Sequence, residues 1–236
     1  MTHRPESTPL RFFIGFDPDE AMAYHALCQS ILEKATIPVT FCPLRTDTLR
    51  GFFDRPRDAK QSNEFSFTRF LVPHLAGYRG HAIYMDCDML LRVDASTLLE
   101  VIDAAPDQAA LVAKHDYVPK SKRKYLNNVQ YSYPKKNWSS FVIWNCAHEK
   151  NRTLSPEFVA RATGLELHRF TWLDEADIGS LDLEWNWLVD EYEAGNDAVK
   201  IIHWTNGGPY FEEFRDVEFA QEWFETAARL THVRNL

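Results

Sequence analysis

The sequence predicts an α/β protein built on a parallel sheet, and three observations lead there. The chain opens strand–helix–strand, the order from which parallel sheets are assembled. A continuous apolar run, Ala82-Ile83-Tyr84-Met85, has the length and composition of a strand covered on both faces. The 236 residues hold no internal repeat, low-complexity tract or evident linker. That suits a single domain with a sizeable core, placed over residues 11–236 behind a flexible tail, 1–10.

Each element has its own signal. The first strand, 11–16, runs into Asp17-Pro18-Asp19-Glu20. The helix over 22–35 repeats Ala23, Ala26, Leu27, Ile31 and Leu32 at helical spacing, and Ile37-Pro38 ends it. Residues 39–43 read as the second strand. The polar stretch 46–61 reads as a mobile loop, and 66–75 as a helix stopped by Pro73 and Gly77. The strand 82–85 leads straight into Asp86-Cys87-Asp88. A helix follows near 97–102 and a strand at 110–113. Residues 114–136 are rich in Lys, Tyr and Asn and show no period; so long a connection is expected to be functional or mobile. A strand is expected at 138–144. Ser155-Pro156-Glu157 is a helix start with a serine N-cap and proline in the first position. A late strand, 199–203, and an amphipathic closing helix, 216–230, complete the list.

Composition narrows the function. A net charge of −8 gives no general attraction to nucleic acid or anionic membrane. A negatively charged substrate would need a local cation. No apolar run is long enough to cross a bilayer, and the first nine residues lack a signal-peptide core. The 4 cysteines form no Cys-x-x-Cys pair, so they are expected as reduced, mostly buried thiols of a cytoplasmic protein. Most of the 7 tryptophans, Trp185 and Trp187 among them, are assigned to the core.

Two segments carry chemistry. Asp86 and Asp88 stand where a buried strand stops, the rim at which open α/β sheets bind ligands. Two apart on an extended chain, their carboxylates face one small volume and repel unless a cation lies between them. Hard divalent ions, Mg(II) or Mn(II), prefer such oxygen ligands. His203 ends a second apolar strand before Trp204-Thr205-Asn206-Gly207-Gly208-Pro209-Tyr210. It is either a hydrogen-bonded histidine beside a turn or, joined to the acidic triplet, the nitrogen ligand of a mixed site. Gly207 and Gly208 allow a ligand to come close and offer N–H donors to phosphate.

Together with Phe67-Thr68-Arg69-Phe70-Leu71 and the strand ending at Asp17, these motifs resemble the retaining glycosyltransferases of the glycogenin and lipopolysaccharide galactosyltransferase type, and more closely a group of small bacterial proteins of that superfamily. The resemblance is discontinuous and spans residues 11–211. It implies a GT-A fold: a mixed, mostly parallel central sheet flanked by helices. It implies Mn(II) or Mg(II) on Asp86, Asp88 and His203, a nucleotide-sugar donor (a UDP-sugar by analogy) and a saccharide or other hydroxyl acceptor. It implies Asp17 near the nucleoside and Arg69 near the diphosphate or sugar. The stretch 181–186, ending in Trp-Asn, looks like a family segment, with Asp174 and Glu175 as equivalents of the acidic residue near the transferred sugar. The family's lysine before the closing Pro-aromatic pair is replaced here by Gly208; Lys136 is the candidate substitute, with Lys114 and Lys135 as others.

Several residues keep two readings. Asp17 is a helix-capping acid or a nucleoside contact. Arg69 forms a helix-surface ion pair or binds donor. Asn145, closing the strand 138–144, binds a substrate hydroxyl or is a turn asparagine. Two other function classes stand beside the transferase. A nucleotidyltransferase would carry a glycine-rich basic loop after the first strand, where this chain has Gly15 alone before acidic residues. A non-catalytic nucleotide-sugar-binding relic is consistent with the missing lysine.

Overall fold

A computed structural model describes residues 8–58, 61, 63–121, 126 and 134–231. Most of the expected tail, residues 1–7, and nearly half of the 114–136 connection, residues 122–125 and 127–133, lie outside the described residues.

Six strands form the main sheet: β1 (Leu10–Gly15), β2 (Val39–Leu44), β3 (His81–Met85), β5 (Ala110–Ala113), β6 (Phe141–Asn145) and β7 (Ile178–Leu181). Their spatial order is β2-β1-β3-β6-β5-β7. β1 pairs parallel with β2 and β3, and β5 with β7, while β6 alone runs against both its neighbours. The carboxyl ends of the five parallel strands therefore share one edge with the start of β6. A second sheet, order β4-β9-β8, is built from β4 (Met89–Leu91), β8 (Trp187–Leu188) and β9 (Ile201–His203). The architecture is a mixed, mostly parallel α/β sheet flanked by helices, as the sequence predicts.

Alternation along the strands divides the core. On β3, Ala82 and Tyr84 join Phe13, Phe70, Trp144 and Phe170 on one face; Ile83 and Met85 join Phe12, Ile14, Leu27 and Ile102 on the other. The first face is covered by α2 (Val72–Leu75), α4 (Pro156–Arg161) and α5 (Gly164–His168), the second by α1 (Ala21–Lys34) and α3 (Thr97–Ala104). α6 (Ala220–Leu230) sends Trp223 into a third cluster with Leu90, Trp187, Ile202 and Trp204 of the small sheet. Trp185 and Trp187 are core, as expected. Ser155 caps α4 by accepting from the Phe158 N–H, with Pro156 in the first position. All four thiols are free, two buried and two half-buried. No helix among the described residues is long and apolar enough to cross a membrane.

Some boundaries differ from expectation, each for a local reason. Pro73 does not stop a helix: residues 68–71 are a 3-10 turn, and Pro73 lies in the first turn of α2, where its missing N–H costs nothing. The strand expected at 138–144 starts with a 3-10 turn, Trp138–Ser140, because Asn137 is left-handed at φ 62°. Phe219, also at φ 62°, prevents α6 from reaching back to 216. The described part of 46–61 is tied down. Phe53 is buried, and Arg55 donates to the carbonyls of Val159, Ala160 and Ala162 at the end of α4 while lying 3.6 Å over the Phe67 ring.

Candidate metal centre

The Asp86-Cys87-Asp88 bend is the junction of the two sheets. β3 of the large sheet ends just before it and β4 of the small one starts just after. The backbone is pinned on both sides: the Asp86 N–H donates to Ser140 O at 2.9 Å, and the Trp204 N–H to Asp88 O at 3.0 Å. Antiparallel pairing sets Met89 opposite His203, which carries the imidazole to the acidic bend. Asp86, Asp88 and His203 are all buried, and one ligand atom from each falls within 4.8 Å of the others. Among the described residues no other trio of metal-ligating side chains comes this close.

The polar partners show what the cluster lacks. Asn186, fully buried, donates from Nδ2 to Ser140 Oγ at 2.9 Å and Asn137 O at 3.2 Å. This turns its Oδ1 to His203 Nδ1, 2.8 Å away. An amide oxygen only accepts, so His203 Nδ1 carries a proton, and Nε2 is the nitrogen whose lone pair the neutral ring offers to a metal. That nitrogen faces Asp88 Oδ1 at 3.4 Å. Asp88 Oδ1 is itself buried without a hydrogen-bond donor. A lone pair meeting an unpartnered carboxylate oxygen calls for a cation. The separation suits two adjacent ligands, which at bond lengths of about 2.1 Å stand roughly 3 Å apart. The donor set, two carboxylates and one imidazole, fits a divalent ion of the Mg(II)/Mn(II) kind.

Asp86 has a counter-charge. Arg69 Nη1 is 3.0 Å from its Oδ1, and the Tyr84 hydroxyl donates to the same oxygen at 2.6 Å. Arg69 also donates to Phe65 O and Ser139 O and lies over the Phe65 and Tyr84 rings. It is 5% exposed, so the ion pair is internal and the helix-surface reading is corrected. Burial pushes the Asp86 carboxyl up and Asp88 adds to that, while Arg69 and His203 hold it down. Burial, then Glu20, Asp88, Asp86 and Asp17, drive the Cys87 thiol far above its ordinary value, so Cys87 sits among four carboxylates as a neutral thiol. Glu20 accepts from the Tyr210 hydroxyl at 2.5 Å, tying the segment after His203 to the first loop.

The other expected residues divide. Asp17 is buried and caps the turn after β1: Oδ1 accepts from the Asp19 N–H and Oδ2 from the Glu64 N–H. Lys136 is buried beside Asn137, whose amide reaches Thr205 two residues past His203. The Gly207 N–H, expected to face phosphate, instead closes a turn on Trp204 O. Both glycines are required by packing: a Cβ at Gly207 would run into the Phe214 ring, and one at Gly208 into that of Tyr210.

Asn145 is out of the site. β6 runs antiparallel, so Phe141 pairs with Met85 beside the aspartates while Asn145 pairs with His81 at the opposite end, where it donates to Pro106 O. Asp174 is likewise not drawn in, and Glu175 reaches the region only through its ion pair with Lys135, the neighbour of Lys136. The two acids precede Ile178, which lies beside Ala110 and thus at the far end of the sheet. Both are exposed, Asp174 paired with Lys150 and Glu175 with Lys135. Glu184, next to the Trp-Asn pair, meets Asn196.

Asn186, Tyr84 and Ser140 surround the cluster; the sequence offers Ser140, with Trp138 and Ser139, as sugar-pocket lining but gives Asn186 and Tyr84 no role of their own. Tyr84 is within reach of period-two reasoning, since it shares a face with Asp86. Asn186 ends the family-like 181–186 stretch, but its link to His203 spans two strands and has no local signal.

No family model matches the chain. Protein CDI of Arabidopsis thaliana is 44% identical over 228 residues, covering 92% of this chain and 86% of that protein. Among solved structures, the galactosyltransferase LgtC in complex with donor and acceptor sugar analogues superposes with a TM-score of 0.61 at 13% identity, over 96% of this chain and 98% of that one. The WbbM bifunctional glycosyltransferase superposes with a TM-score of 0.63 at 14% identity, over 96% of this chain; the chain spans 50% of WbbM. At such identities the likeness is one of fold, the GT-A arrangement.

Proposed function

The chain belongs to the family of Protein CDI, and we propose that it is a metal-dependent glycosyltransferase that moves a sugar from a nucleotide-sugar donor, a UDP-sugar in the first instance, to a hydroxyl acceptor with retention. One observation carries this: the unpartnered Asp88 Oδ1 facing His203 Nε2 at 3.4 Å, at the junction of two sheets in a GT-A fold. Asp86, Asp88 and His203 would hold Mn(II) or Mg(II). Bound there, the ion supplies compensation for the charge that grows on the departing diphosphate.

The chain's own groups do the rest. Arg69 and Tyr84 favour the ionised form of Asp86 against its burial and hold the carboxylate in place. Asn186 fixes the His203 tautomer. Lys136, buried on the rim beside Asn137, is the charge we assign to donor phosphate in place of the lysine absent at Gly208. Asp17 shapes the turn after β1 on the nucleoside side.

Thermal shift with UDP-, GDP- and CMP-sugars, with and without Mn(II), tests the reading. We expect a rise with donor only when metal is present, and release of UDP without pyrophosphate from a UDP-sugar. No metal response overturns the proposal; a metal-dependent shift without turnover leaves the binding relic; pyrophosphate marks a nucleotidyltransferase. Asn186→Ala should weaken Mn(II) binding about 10- to 100-fold, as loss of an outer-shell partner does. Electron paramagnetic resonance titration reads this directly, and unchanged affinity would remove Asn186 from the site.

A further inference from the structure

We propose that His115 Nε2 is a hydrogen-bonding contact for a hydroxyl of the sugar substrate, oriented by Tyr192; this rests on the glycosyltransferase reading above. His115 lies two residues past the end of β5, at the edge that carries Asp86. Its side chain is buried, with Nδ1 2.6 Å from the Tyr192 hydroxyl, and its carbonyl accepts the indole N–H of Trp138 at 2.9 Å. Nε2 is buried too and has no hydrogen-bond partner. It is not one of the trio that can share a cation. A polar atom held this firmly and left unmatched is costly unless a ligand group pairs with it.

The chemistry of that ligand group follows from the His115–Tyr192 pair. If Tyr192 donates to Nδ1, Nε2 carries an N–H that lacks an acceptor. If Nδ1 donates to Tyr192, Nε2 offers a lone pair that lacks a donor. A hydroxyl answers both cases, since it donates and accepts; an ionised phosphate oxygen answers only the first. Burial lowers the imidazole pKa to about 3, with His203 adding to the effect, so the ring remains neutral and does not compete with a cation for the carboxylates.

The surroundings suit a saccharide. Half-buried Tyr117 and Tyr192 stand 6.3 and 5.9 Å from the His115 ring, and Tyr192 packs on Trp187 at 4.9 Å. Asn137 Nδ2 donates to both the Tyr117 hydroxyl and Thr205 Oγ1, which joins this aromatic wall to the segment that follows His203. Rings for C–H faces beside polar groups for hydroxyls are what a sugar pocket requires.

Crystals of the full chain grown with Mn(II) and UDP-glucose test the assignment. We expect a sugar oxygen, or an ordered water standing in for it, about 2.6–3.2 Å from Nε2. A protein atom on Nε2, or nothing within reach of it, overturns the proposal alone. Absence of a manganese peak among Asp86, Asp88 and His203 overturns the reading beneath it. In solution, His115→Phe keeps a ring but loses both nitrogens; it should lower kcat/KM for UDP-glucose hydrolysis about tenfold, the worth of one neutral hydrogen bond, with Mn(II) affinity within about twofold. His115→Gln, whose amide reaches the Nε2 position, should recover part of the loss. Unchanged turnover in His115→Phe, or equal loss of Mn(II) binding, sinks it.

Discussion

Asp88→Asn should raise the melting temperature of the metal-free protein by about 2–4 °C, the shift that roughly 1 kcal/mol produces in a chain of this size, and should abolish the further rise caused by Mn(II). The two effects have one origin. Asp88 Oδ1 is buried without a hydrogen-bond partner and faces His203 Nε2 at 3.4 Å. Asp86, already paired with Arg69, adds like-charge repulsion. Without a cation, Asp88 is a liability that the fold tolerates. An amide there removes the charge, and its N–H can donate to Nε2. The same change deletes an anionic ligand, so Mn(II) affinity should fall by at least about a hundredfold, more than loss of an outer-shell partner costs. Scanning calorimetry in EDTA and in Mn(II) measures both. A metal-free variant less stable than the parent, with its Mn(II) response intact, would show that Asp88 is held for packing and has no part in binding.

Arg69→Leu is the opposite case. It should cost about 3–5 kcal/mol in the metal-free protein, the usual penalty for breaking a buried ion pair from one side. The Arg69 guanidinium pairs with Asp86, and it also donates to two backbone carbonyls. Removing it strands a carboxylate that is 7% exposed. Two rescues are expected. Mn(II) should restore part of the loss, because bound metal supplies the missing charge. Asp86→Asn in the same background should also restore part, because no uncompensated charge remains; the double-mutant cycle gives the coupling. Urea unfolding in EDTA reads these differences. A loss under about 1 kcal/mol would mean that the pair is solvated and that Asp86 needs no partner.

Residues whose placement depends on their immediate neighbours are legible in the amino-acid order. The run 82–85 announces a buried strand, and the residues just past it must lie at the sheet edge; His203 follows the same rule at the end of β9. Ser155, Pro156 and Glu157 specify a helix start from three consecutive positions. Asn145 lies away from the aspartates because a strand's direction within its sheet leaves no mark on the strand itself. β6 reads equally well parallel or reversed, and the choice decides which of its ends meets the aspartates. β4, β7 and β8 have no bounded apolar run of strand length of their own in the sequence and exist through their pairings.

By itself, then, the amino-acid order determined the class of fold, the chemical kind of the candidate ligands and their position at strand ends, since hydrophobic alternation and its interruption act over a few residues. Only tertiary structure decided that Arg69 neutralises Asp86, that Asn186 sets the His203 tautomer and that Asp88 is left bare. Those outcomes depend on how two sheets meet at one bend, a contact between segments that carry no local trace of each other.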